Sequence, residues 1–447
     1  MAIGPQPTPP RLELPPRHVT RMMEPLQRFL HIEAMSGVVL LIAAAAALAI
    51  ANSPWSSGFL AFWETKISVG IGGYQAAYSL RHVINDGLMT LFFFVVGLEI
   101  KREMVLGELR DPRVAALPLA AAAGGMIVPA LLYLALQFGA PGERGWGIVM
   151  ATDIAFVVGC LAVLGRRAPR SLRVFVLSLA IIDDIGAILV IAIGYTAGVN
   201  AVALGCAVLG IGVVLGLRFI GVRSVMPFWA VGVLTWAAAH ESGIHPTVVG
   251  VALGLLTPAV PWIGVHGLRS FLDRVGAYLQ GDAPNAGPGR ESDAVLYQSV
   301  VVAVQASVSP LERLESGLHA WVGFLVMPIF AFANAGVPIS VAALGDPIVV
   351  AVIVGLAAGK PIGIVAGCWI ACATGLARRT AELGWPVLLG AGVLSGIGFT
   401  MALFIANLAL HGPLLDAAKL GILLASLLCA VAGMVMLRAV LPRPRDP

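Results

Sequence analysis

Twelve apolar runs follow one another along the chain, centred near residues 43, 92, 126, 156, 184, 208, 232, 254, 329, 360, 397 and 429. A helix needs about 20 such residues to cross the hydrocarbon core of a bilayer, so the pattern predicts about twelve spanning helices. The second run is the least obvious, because Asp86 and Glu99 bracket it. The opening MAIGPQPTPPRLELPP is polar and proline-rich, which reads as a disordered tail over residues 1–30. Spans one to eight then fill 31–263 and spans nine to twelve fill 317–441. Between them, 264–316 contains GDAPNAGPGRESD and reads as an extended, flexible connection.

Composition agrees with this class. Only 12% of residues are charged, against about 25% in soluble domains, and the mean hydropathy is +0.92. The 52 glycines and 29 prolines suit close packing and interrupted helices in lipid. The net charge of +4 matters less than its distribution. Threading twelve spans with both termini inside puts 23 of the 28 Lys/Arg on the cytoplasmic side, four outside (Lys66, Arg81, Arg144, Lys419) and Lys360 within a span. That asymmetry supports the topology, with N- and C-termini cytoplasmic. The basic residues therefore mark orientation and no affinity for nucleic acid; the surrounding partner is membrane lipid. Cys160, Cys206, Cys368, Cys372 and Cys429 sit in apolar stretches and read as unreactive thiols.

Four charged residues lie deep in spans: Asp153, Asp183, Asp184 and Lys360. An aspartate at the bilayer centre costs about 2.5–3.5 kcal/mol on insertion scales, so these side chains face the protein interior. A structural ion pair is the bland explanation for any one of them, but three acids and one base cannot all cancel. Neighbours on a helix point about 100° apart, so Asp183 and Asp184 need different partners. One is assigned to Lys360 and the other to a hydrated cavity, where burial and the adjacent like charge favour its protonated form. Such a carboxylate holds a proton or a metal cation, never both, which is the requirement for cation/proton exchange. The stretches GIVMATDIAFVVG and LSGIGFTMALF, with Thr152–Asp153 and with Gly396, Gly398 and Thr400 in mid-span, read as helix breaks that offer backbone oxygens and dipole ends at the midplane.

Other uses of membrane acids fit less well. An intramembrane aspartyl protease needs its two aspartates on separate helices, and a diphosphate-binding prenyltransferase needs a second acidic motif and more buried bases. A channel has no reason to couple a titrating pair to a lysine. A proton-coupled symporter of a small solute remains the alternative, although the spans offer few Asn, Gln or aromatic residues near Asp184.

The motifs resemble those of the NhaA-type bacterial sodium/proton antiporters. They are NDGLMTLFFFVVGLEIKRE (85–103), ATDIAF (151–156), LAIIDDIGAI (179–188), GIHPT around His245, MPIFAFANAGV (327–337), GKPIGI (359–364), GIGFTMALFIA (396–406) and AKLGILLAS (418–426). The resemblance implies an all-α transporter, not an enzyme, with inverted three-helix repeats whose discontinuous middle helices cross near Thr152–Asp153 and Gly396–Thr400. It implies that Asp184 is the principal ligand and proton carrier, that Asp183 helps bind the transported Na+ and meets Lys360, and that Asp153 balances the dipole ends. It further implies electrogenic exchange of Na+ or Li+ for H+ across the inner membrane, shut off at acid pH, without any cofactor. A pH response is associated with His245 and, near the cytoplasmic funnel, with Glu99 and Glu315; Asp86 matches an acid near the periplasmic end. The chain departs from the family pattern in its longer tail, its extended 264–316 segment, the proline of GIHPT and an acid at Glu312. Whether it works as a homodimer is left open.

Overall fold

The computed structural model describes residues 33–71, 74–196, 198–222, 225–279, 290–339, 344–380 and 382–442. The proline-rich tail lies outside them. Each of the twelve apolar centres falls in or between helices, which we label α1 (Glu33–Ala51), α2 (Leu80–Val105), α3 (Pro112–Gln137), α4 (Glu143–Leu164), α5 (Arg170–Gly194), α6 (Ala201–Ile220), α7 (Val225–Ser242), α8 (Thr247–Leu256), α9 (Pro310–Asn334), α10 (Pro347–Ala373), α11 (Trp385–Ser395 and Phe399–Ala409) and α12 (Pro413–Val440). Among the described residues, eight helices are long and apolar enough to cross a membrane unaided, or ten if each bent pair is one span. Of the others, α7 has 18 residues but is less apolar, and α8 has only ten. Helix α7 stops before Gly243, whose φ of +83° an L side chain rarely adopts. Helix α8 is bounded by Pro246 and by extended Thr257.

The starts of the spans repeat one grammar. Proline occupies the first turn of α3, α9, α10 and α12, where its missing N–H costs nothing. Asp111 and Asp346 cap α3 and α10 through their carboxylates, and Ser309 with Glu312 forms a capping box on α9. The acid noted at Glu312 is thus a helix-start residue.

Two features depart from the sequence reading. Two strands, β1 (Lys66–Ile71) and β2 (Tyr74–Ser79), pair antiparallel, a small exception to an all-α chain. The segment read as a flexible connection carries helices over Val265–Leu279 and Arg290–Ser307, and α9 begins at Pro310 rather than near 317. Turn-forming residues concentrated in its middle masked the helical flanks.

Helices α3–α5 and α10–α12 are two units of three spans, each with a broken middle member. Their first members are the third and tenth helices in this order, so a chain crossing at each of the twelve would carry the units in opposite senses. Helices α3 and α10 touch backbone to backbone. A Cβ on Gly124 would meet the Gly363 carbonyl oxygen at 2.0 Å, and one on Gly367 would meet the Ala120 oxygen at 2.1 Å. Gly359, Gly363 and Gly367 thus form a stripe at four-residue spacing that lets the helices close up. That contact fixes the depth and rotation of Lys360.

Candidate functional site

Both middle spans break where the sequence suggested. In α4 the helix stops at residues 151–153 and restarts with Asp153 in extended conformation, its Oδ1 accepting from Phe156 N at 3.1 Å. In α11 the two halves meet at 48° across residues 396–398. The glycines serve close approach, since a Cβ on Gly396 would lie 2.5 Å from the Leu356 oxygen. The breaks are bonded to each other. Asp153 N donates to Ile397 O at 2.7 Å, and Asp153 Oδ2 accepts from Thr400 N at 3.0 Å and from Thr400 Oγ1. One carboxylate therefore caps the second half of α4 and the second half of α11 together. Both helix ends carry partial positive charge, which is the compensating role the resemblance implied for Asp153.

Helix α5 crosses beside this junction and presents the aspartate pair. Asp183 Oδ2 lies 2.9 Å from Lys360 Nζ and accepts from Thr152 Oγ1 at 2.6 Å. Lys360 Nζ also donates to Met150 O, and Thr152 Oγ1 shares its proton with Ser395 O at 3.0 Å. A turn of π-helix, Val354–Gly359, leads into Lys360, a distortion frequent at functional sites. Lys360 is 0% exposed and Asp184 1% exposed. Three carboxylate oxygens, Asp183 Oδ1 and both of Asp184, are buried without a hydrogen-bond partner among the described residues. Buried polar atoms are nearly always paired, so three unpartnered carboxylate oxygens on adjacent residues call for an explanation, and oxygen ligands of this kind are what a hard cation takes.

Asp184 does not reach solvent in this structure. Asp184 shares a helix face with Ile181 and Ile188, at spacings of three and four. That face packs against Val96 and Ile100 of α2, with Leu177, Ile185 and Ile154 around them. Apolar side chains thus pack on the helix face that carries the unpartnered acid, and Glu99 of α2 is near enough to act on it electrostatically.

The remaining expected residues form two separate groups on α2. Glu99 lies 3.8 Å from His319 Nδ1, and Glu315 is ion-paired with Arg102, so these acids form one cluster with α9. His245 is not part of it. It stands at the other end of α2, its Nε2 3.9 Å from Asp86 Oδ1, and 13 residues of helix rise, about 20 Å, separate Asp86 from Glu99. His245 lies in the α7–α8 connection, where burial pushes its imidazole down to about 4. A group that low stays neutral across the range where a pH response is expected. Asp86 also faces His82 and His240 at 3.3 and 3.4 Å. The sequence reading missed these histidines, although His82 stands four residues before Asp86. It also missed the carbonyls of Met150, Ser395 and Ile397, which leave no mark in side-chain chemistry.

The profile described as Na+/H+ antiporter 1 matches residues 27–437. The antiporter NhaA 2 of Acidiphilium cryptum (strain JF-5) is 52% identical over 431 residues, covering 96% of this chain and 95% of its own. The NhaA antiporters of Rhodopirellula baltica and Rhizobium meliloti are each 51% identical, covering 97% and 95% of this chain and 98% and 96% of their own. Among solved structures, the sodium proton antiporter MjNhaP1 of Methanocaldococcus jannaschii aligns over 92% of this chain and 99% of its own, with 13% identity and a TM-score of 0.45. A profile match over most of the length and relatives about half identical from end to end place this chain in the Na+/H+ antiporter 1 family.

Proposed function

We propose that the protein is an electrogenic antiporter of the bacterial cytoplasmic membrane that exports Na+, or Li+, in exchange for a larger number of protons, with both termini cytoplasmic. The observation that carries the reading is the set of three unpartnered buried oxygens on Asp183 and Asp184, next to Lys360 and the two helix breaks. Deprotonated Asp184 takes Na+, with further oxygens from Asp183, Thr152 and the exposed backbone; a proton on Asp184 removes the anionic ligand and releases the ion. Lys360 and Thr152 hold Asp183 in place through its other oxygen. An empty, charged site is costly to carry through a low-dielectric barrier, so only the protonated or ion-bound forms change sides. Opening then requires separating the α5 face at Ile181 from Val96 and Ile100.

The test uses everted membrane vesicles energised to an acid interior, with a pH-sensitive dye. Added Na+ is expected to restore fluorescence with wild type, K+ is not, and Asp184→Asn should be silent while present in the membrane in normal amount. Sodium-driven proton movement at the normal rate in Asp184→Asn would overturn the assignment. No response from wild type at any pH would turn the reading to a proton-coupled symporter.

A further inference from the structure

Away from the aspartate pair, the start of α2, the end of α7 and β2 bring together a second set of chemistry-bearing side chains. Asp86 Oδ2 lies 3.3 Å from His82 Nε2 and 3.4 Å from His240 Nδ1, and the three ligand atoms all fall within 4.8 Å of one another. A tetrahedral metal with bonds of about 2.1 Å holds adjacent ligand atoms about 3.4 Å apart. Two of the three edges of such a site therefore already have the right length. His82 Nε2, although this near a carboxylate, is buried without a hydrogen bond.

The surroundings have the form of a metal site's outer ring. The other nitrogen of His240, Nε2, pairs with Tyr78 Oη at 3.1 Å, which fixes the ring and leaves Nδ1 directed at Asp86. The Tyr78 ring also stacks on His82, with centroids 4.9 Å apart and planes at 11°. His245, its Nδ1 engaged by Thr247 Oγ1 at 2.7 Å, turns Nε2 toward the second oxygen of Asp86. The His82 side chain is 42% exposed while its Nε2 is buried and the Asp86 side chain is only 10% exposed, so the ligand atoms lie just beneath the surface behind a ring that solvent reaches. Two imidazoles and one carboxylate suit a borderline transition cation and not the all-oxygen preference of Mg2+ or Ca2+.

We propose that His82, Asp86 and His240 form a binding site for a divalent transition cation of the Zn2+ class, with Tyr78 as a positioning residue. When filled, the site ties the first turns of α2 to the last turn of α7, reinforcing the bond from Trp236 Nε1 to Thr90 Oγ1 at 2.9 Å. The site stands apart from the Asp183–Asp184 pair and does not depend on what that pair transports.

The test is a Co2+ titration of the full chain, purified in detergent with a tag free of histidine and stripped with a chelator. One equivalent of Co2+ should give the visible absorption of a tetrahedral site, and Zn2+ should displace it. His82→Ala and His240→Ala are each expected to weaken binding at least tenfold, Tyr78→Phe about tenfold, and His266→Ala not at all. If His240→Ala elutes as aggregate, His240→Gln replaces it. No tetrahedral band in wild type, or a band that persists at full affinity in the His82 and His240 variants, would overturn the proposal.

Discussion

Lys360→Met separates charge pairing from packing at the centre of the molecule. Methionine keeps the unbranched stem against Gly125 on α3 and loses the ammonium. Asp183 Oδ2 then retains only Thr152 Oγ1, and Met150 O loses its donor. Breaking one side of a buried ion pair costs about 3–5 kcal/mol. At about 2.1 cal/mol/K per residue, a chain of 447 residues converts that to a fall of roughly 3–5 °C in melting temperature. The penalty belongs to the stranded charge, so Asp183→Asn combined with Lys360→Met should regain most of it. Acid should also shrink it in the single variant, because a proton on Asp183 removes the charge. Thermal unfolding in detergent, followed by tryptophan fluorescence at pH 8 and pH 5, measures all three proteins. A double variant as unstable as the single one, with a loss unchanged by pH, would refute the reasoning and make Lys360 a packing residue.

Further outcomes follow from contacts already described. Thr400→Val removes one hydroxyl bond to Asp153 while keeping the backbone bond; bonds to charged groups contribute about 1.5–3 kcal/mol, so a loss of that size in chemical unfolding is expected and a neutral result would contradict the shared cap. Gly363→Ala drives a Cβ to 2.1 Å from the Gly124 oxygen, so the α3–α10 contact must open, and exchange in vesicles should fall along with thermal stability. His245 has a folded value of about 4 against an ordinary value of about 6.5, so the unfolded chain takes up its proton first. Its stabilisation is complete above about pH 6.5 and is lost as pH falls through about 4, by up to roughly 3 kcal/mol. His245→Gln should flatten that acid limb of a stability–pH profile, and an unchanged slope would show that His245 is not buried neutral.

The spans, the two breaks and the aspartate–lysine group were legible because each leaves a chemical mark: charged residues inside apolar runs, and glycines or Thr–Asp in mid-helix. Which aspartate meets Lys360 was not legible from spacing alone, because residues 100° apart are distinguished only by what packs around the helix. The resemblance supplied the choice, and the glycine stripe on α10 gives its physical basis. The sealing of Asp184 was equally hidden, since Val96 and Ile100 look like any apolar residues facing lipid. His82 and His240 escaped because they flank spans, where a histidine ordinarily means nothing. The helices within 264–316 were obscured by the turn residues at its centre.

Asp153 has one further consequence. By holding α4 to α11 at their midpoints through a carboxylate and a backbone bond, it makes the two crossed spans mechanically a single strut. Access cannot alternate by sliding one break past the other without severing charge-assisted bonds inside the membrane. Between α5 and α2, by contrast, Ile181 packs on Val96 and Ile100, an apolar contact without directional bonds of its own. For the exchange cycle proposed above, the moving boundary is expected at that apolar contact, with the bonded frame of α4 and α11 pivoting intact.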